Sequence, residues 1–119
     1  MQYARLASMR TLYHLWLTPN CRAVRIALAE KGLDFELVLE KTWERRIEFL
    51  TLDPAGEVPV LVEADGAVIG GSGAILEYLE DVYKTPSLIG TAPLVRAEVR
   101  RLVSWFDDKF AREVSDLIL

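Results

Sequence analysis

The chain has 119 residues, 51% of them hydrophobic and 27% charged, a formal net charge of −4 and one cysteine. That length supports one domain with a buried core, and the composition is too apolar for intrinsic disorder. The acidic balance argues against a general nucleic-acid or anionic-membrane surface, and no apolar run reaches the roughly 20 residues of a membrane span. Cys21 alone excludes an internal disulfide and a multi-cysteine metal site, so a reducing cytoplasm is the default setting and no metal is expected.

Residues 1–8 read as an unstructured extension, with Met9 as a natural start; Arg10 and His14 interrupt any signal-peptide pattern. Thr11 to Leu17 is an apolar, aromatic-rich run expected to form a buried strand. Thr18-Pro19-Asn20 is a turn signal, and Asn20 is placed to cap a helix from Cys21 to Lys31 that repeats Val24, Ile26, Ala27 and Leu28. Gly32 stops that helix, and Phe35 to Leu39 alternates as a half-buried strand. Strand, helix and strand within about thirty residues imply a parallel crossover.

Thr42 to Leu50 predicts a weaker helix carrying Trp43, Ile47 and Phe49. Asp53-Pro54-Ala55-Gly56 is a turn. Pro59 to Glu63 and Ala67 to Ile69 flank Asp65-Gly66, which predicts a hairpin with a type I′ turn. Ser72 to Tyr83 predicts a helix with Ser72 as N-cap and an apolar stripe of Ile75, Leu76, Leu79 and Val82. Prolines and a glycine mark residues 85–93 as a linker between a domain at 9–84 and a helical segment at 94–119. That segment opens with an amphipathic helix from Leu94 to Phe110. The order βαβ, then ββα, predicts an α/β domain: one four-stranded mixed sheet with helices on both faces, the thioredoxin-like architecture.

Three stretches, LYHLWLTPNCRAVRIALAEKG, DPAGEVPVLVE and SGAILEYLED, resemble the glutathione S-transferase family in order and spacing. The resemblance implies a thioredoxin-like N-terminal domain followed by an all-helical C-terminal domain, of which 94–119 holds the first helix. It also implies a homodimer, paired across a two-fold axis. WERRIEFL, DPAGEVPVLVE and especially VRRLVSWFDDKFAREV are further similar to bacterial transferase-like proteins that bind the division polymer FtsZ, which makes FtsZ or another acidic protein a candidate partner.

The resemblance implies glutathione as cosubstrate. Thr18 matches the position whose hydroxyl hydrogen-bonds the glutathione sulfur. A free thiol with a pKa near ~8.5 is mostly protonated at neutral pH, and a hydroxyl donor plus a helix N-terminus favour the nucleophilic thiolate. The other reading of Thr18 is a turn residue that caps its own backbone. Val58-Pro59 matches a cis-proline pair whose preceding backbone binds the cysteinyl unit as an added strand. Gly71-Ser72 matches the γ-glutamyl subsite, where Ser72 and its helix N-terminus receive a carboxylate.

Two positions depart from the family pattern. Gly71 stands where Glu or Gln is usual, and Glu57 stands where Lys or Gln is usual, near the glycyl carboxylate that a glutamate would repel. Cys21 is expected as a small core residue, with a mixed-disulfide thiol as the alternative. His14 reads as a packed or hydrogen-bonded histidine, and Trp16, Trp43 and Trp105 as core or interface aromatics. Arg96, Arg100 and Arg101 form a solvated helix face or a surface for an acidic partner. Two functions follow from these residues: a glutathione-dependent transferase, or a non-catalytic interaction protein in cell division.

Overall fold

The computed structural model describes residues 9–90 and 92–105. The chain divides into two units, with the boundary between Pro86 and Ser87. In the first unit the strands are β1 (Thr11–His14), β2 (Glu36–Leu39), β3 (Val60–Val62) and β4 (Val68–Gly70). The helices are α1 (Pro19–Glu30), α2 (Ile47–Leu52) and α3 (Ser72–Val82). The four strands form one mixed sheet in the order β2-β1-β3-β4. β1 runs parallel to β2 and antiparallel to β3, and β3 runs antiparallel to β4. This is the expected thioredoxin-like α/β architecture.

Strand alternation sorts the core into two layers. Leu12 of β1 and Leu61 of β3 pack with Val24, Ala27 and Leu28 of α1 and with Ile75 and Leu79 of α3. On the opposite face Tyr13 meets the ring of buried Phe49 from α2, with centroids 5.7 Å apart. The two outer helices thus share one side of the sheet and α2 covers the other.

Several boundaries differ from the sequence expectation. β1 ends at His14 rather than Leu17, because Leu15 and Trp16 turn their carbonyls to the Arg25 guanidinium instead of to a ladder. α1 opens two residues early, since Pro19 suits the first helical turn, where its missing N–H costs nothing. The N-cap is therefore Thr18, not Asn20, and its side chain makes no cap bond.

The expected helix from Thr42 to Leu50 is broken. A 3-10 turn covers Thr42–Glu44, Arg45 adopts φ +51°, and α2 begins at Ile47. A bidentate pair from Arg46 to buried Glu40 (2.8 and 3.1 Å) ties the start of α2 back to the end of β2. The hairpin turn is not type I′: Gly66 alone has positive φ, its N–H donates to Glu63 O (2.9 Å), and Glu63 N donates to Ala67 O (2.8 Å). That is a three-residue loop with glycine in the left-handed half of the map, which leaves Asp65 unstrained.

The N-cap of α3 is Gly71 at φ +94°, ψ 140°, a conformation open to glycine, so Ser72 is the first helical residue rather than the cap. Val82 is exposed, and the buried positions of α3 are Ile75, Leu79 and Glu80. None of the three tryptophans lies in the core: Trp16 is 56%, Trp43 69% and Trp105 41% exposed. Cys21 is fully buried.

The second unit contains α4 (Pro93–Ser104), preceded by a turn in which Ser87 Oγ donates to Gly90 O at 3.0 Å. Leu94, Val95, Leu102 and Val103 are exposed on it, and Arg101 pairs with Glu98. The expected extension of this helix to Phe110, and residues 1–8, lie outside the described residues.

Candidate functional site

The strand registers bring four chain segments to one edge of the sheet. His14, the last residue of β1, lies opposite Leu39, the last of β2. Tyr13 faces Val60, so β1 ends where β3 begins, directly after Val58-Pro59. Val60 in turn faces Gly70, so β4 ends at the same edge. α1 and α3 both open from this edge, and their N-terminal N–H groups are free of helical partners there.

Thr18 stands at the mouth of α1. Its carbonyl accepts the first helical bond from Arg22 N (3.2 Å), and its hydroxyl donates a long bond to Leu15 O (3.4 Å). The Val58–Pro59 peptide bond is cis. Pro59 is buried, Val58 is half-buried, and Val58 stands outside the ladder. Pro59 O accepts from Gly71 N at 2.9 Å, which sets the mouth of α3 beside the proline backbone. Ser72 is half-exposed at that mouth, and a Cβ on Gly71 would meet nothing within 4 Å. Glu57 is exposed, its N–H held by Asp53 Oδ2 at 3.2 Å.

Pattern reading passed over two residues here. Arg45 has the only positive φ of any non-glycine among the described residues, and its guanidinium lies against Gly56, one position before Glu57. Strain of this kind persists where the surroundings enforce it, which marks a position for functional scrutiny. Arg25 of α1 is the second. Its guanidinium donates to His14 Nδ1 (3.0 Å), Leu15 O (3.3 Å) and Trp16 O (3.2 Å), and lies 4.9 Å from the Trp16 ring centroid. No spacing in the sequence signals either role, because an arginine on a helix reads as a solvated charge.

The electrostatics of β1 follow from that arrangement. His14 is buried, with Trp16 edge-on at 4.5 Å. Arginine cannot act as an acceptor, so Nδ1 accepts and the imidazole is neutral. Burial first, and then the Arg25 charge, hold its pKa below the ordinary histidine value. Among the described residues, no group of three or more His, Cys, Asp and Glu side chains is arranged to hold a metal ion.

A parallel-antiparallel sheet with a proline at the start of β3 and two helix mouths at one edge defines a thioredoxin-like domain. Residues 18–82 match the family model of the glutathione S-transferase N-terminal domain, and the chain belongs to that family. A solved glutathione S-transferase from Rhodospirillum rubrum F11 is 61% identical with a TM-score of 0.89, covering 91% of this chain and 49% of that one. FtsZ-localized protein A of Caulobacter vibrioides is 46% identical over 113 residues, 92% of this chain and 50% of that protein. A glutathione transferase homologue from Sulfitobacter, solved with bound glutathione, is 27% identical with a TM-score of 0.77, covering 85% of this chain and 50% of that one. The chain thus spans about half the length of the relatives it matches.

Proposed function

We propose that this chain is the glutathione-binding half of a transferase-like protein that activates the thiol of the tripeptide. The hydrogen bond from Gly71 N to Pro59 O carries the reading, because it sets the α3 mouth beside the Val58-Pro59 backbone at the edge where Thr18 opens α1. In this reading the Val58 backbone pairs with the cysteinyl unit as a short added strand. Ser72 and the α3 N-terminus receive the γ-glutamyl carboxylate. Thr18 is the catalytic residue: its hydroxyl donates to the sulfur and, with the α1 N-terminus, favours the thiolate that attacks an electrophile. Arg45, beside Gly56, supplies a cation where Glu57 alone would repel the glycyl carboxylate.

Gly71 brings no side chain to the γ-glutamyl ammonium. One lost charge-assisted bond costs about 1.5–3 kcal/mol, so affinity is expected roughly tenfold to hundredfold below that of a complete site. Titration calorimetry with glutathione tests this: saturable binding in the millimolar range supports it, and no heat at ~10 mM glutathione removes it. A homodimer and a cytoplasmic setting belong to the same proposal.

A second reading is favoured by one observation, the 46% identity to FtsZ-localized protein A over 113 residues. Under it the protein binds FtsZ in division, and the thin γ-glutamyl subsite is a relic. Co-sedimentation with FtsZ filaments decides: co-pelleting without measurable glutathione binding selects this reading over the first.

A further inference from the structure

Leu15, between β1 and α1, hangs on the side chains of α1. Its N–H donates to Cys21 Sγ at 3.5 Å, and its carbonyl accepts from both Arg25 Nη1 (3.3 Å) and Thr18 Oγ1 (3.4 Å). Two donors therefore share one carbonyl oxygen, and the lone pair left beside a bound guanidinium is the poorer acceptor. A guanidinium is permanently charged and binds a carbonyl more strongly than a hydroxyl does, so Arg25 has the prior claim. The Thr18 hydroxyl is left with a long bond that it can surrender at small cost.

We propose that Arg25 is a positioning residue for Thr18: by occupying the Leu15 carbonyl it keeps the Thr18 hydroxyl available to a ligand thiolate. The inference rests on the glutathione reading above. In this proposal Arg25 acts through Thr18 and not on the ligand. Its second arm, from Nη2 to Trp16 O, fixes the next peptide of the same loop, and the stack on Trp16 holds the guanidinium plane in place. Without Arg25, the Leu15 carbonyl is free to draw in the Thr18 hydroxyl to an ordinary O–H···O length of about 2.8 Å, which withdraws the donor from the sulfur.

The test measures the pKa of the bound glutathione thiol from thiolate ultraviolet absorbance, in the wild type and in Arg25→Met, Arg25→Lys, Thr18→Val and the double variant Thr18→Val/Arg25→Met. Arg25→Met is expected to raise the bound-thiol pKa toward the free value of ~8.5. Arg25→Lys, a point cation that reaches only one acceptor at a time, is expected to give a smaller rise. In the Thr18→Val background, Arg25→Met is expected to add nothing, since the donor it positions is gone. An unchanged thiol pKa in both Arg25 variants, or a full additional shift in the double variant, overturns the proposal while leaving the glutathione reading intact. Absence of glutathione binding by the wild type overturns both. Should Arg25→Met fail to fold, Arg25→Lys against Thr18→Val carries the same decision.

Discussion

Gly71 is where backbone and ligand chemistry pull apart. At φ +94°, ψ 140° it occupies a region that side-chain-bearing residues reach only under strain, yet an added Cβ would touch nothing. Gly71→Gln is therefore expected to cost on the order of 1–3 kcal/mol, read as a lower urea midpoint. Under the glutathione reading the same variant gains affinity by roughly tenfold, as one recovered hydrogen bond would give. His14 makes a separate prediction. Its native pKa is lowered, so as pH falls through about 6.5 the unfolded chain takes up a proton that the folded one refuses. Stability is present above that pH and declines below it, and His14→Gln is expected to flatten the decline in urea melts at pH 5 to 7.

At the scale of elements, α3 is fastened at both ends. Its N-terminus is tied to Pro59, and its far end is tied to the opposite edge of the sheet through Glu63. That carboxylate, almost fully buried, accepts from Tyr78 (2.7 Å), Tyr83 (2.7 Å) and Arg10 (2.8 Å), while Arg10 also donates to the Tyr83 hydroxyl (3.0 Å). Burial raises the Glu63 pKa, but the Tyr78, Tyr83 and Arg10 hydrogen bonds outweigh it and leave the group below its ordinary value. Its contribution is present above the ordinary carboxylate pKa and is lost as pH falls through the lowered folded value. Removing the acceptor leaves the Arg10 charge partly buried without its main partner. Glu63→Ala is accordingly expected to lose about 3–5 kcal/mol in chemical denaturation, more than Tyr83→Phe, which removes one hydroxyl from the network.

For the whole molecule, the exit of the chain from the first unit is held by one buried cation. Lys31 Nζ donates to Tyr83 O (2.6 Å) and Pro86 O (2.7 Å) and pairs with Glu80 (3.0 Å). These contacts satisfy an ammonium that would otherwise be costly to bury. Lys31→Met is expected to release residues 83–86 and speed limited proteolysis between Lys84 and Gly90 by at least severalfold, scored by mass spectrometry of the fragments. Unchanged cleavage would show that the apolar packing of α3 alone holds this exit.

Periodicity and turn chemistry determined the architecture of this protein. Leu12, Val24, Leu28, Leu61, Ile75 and Leu79 are legible as core from spacing alone, because burial of an apolar face is a local property repeated along the chain. The segments of the candidate site were legible for the same reason: each sits where a strand stops or a helix starts. Arg25, Arg45 and Glu63 were not, since a charged side chain reads as solvated and the groups it meets are set by where the fold brings other segments. The helix caps shifted for a related reason, as Pro19 and Gly71 answer to where neighbouring strands end. Local sequence sets which elements form. Only the folded sheet decides which carbonyls, charges and helix mouths meet at one edge, because those meetings depend on strand register between residues forty-seven positions apart, Tyr13 and Val60.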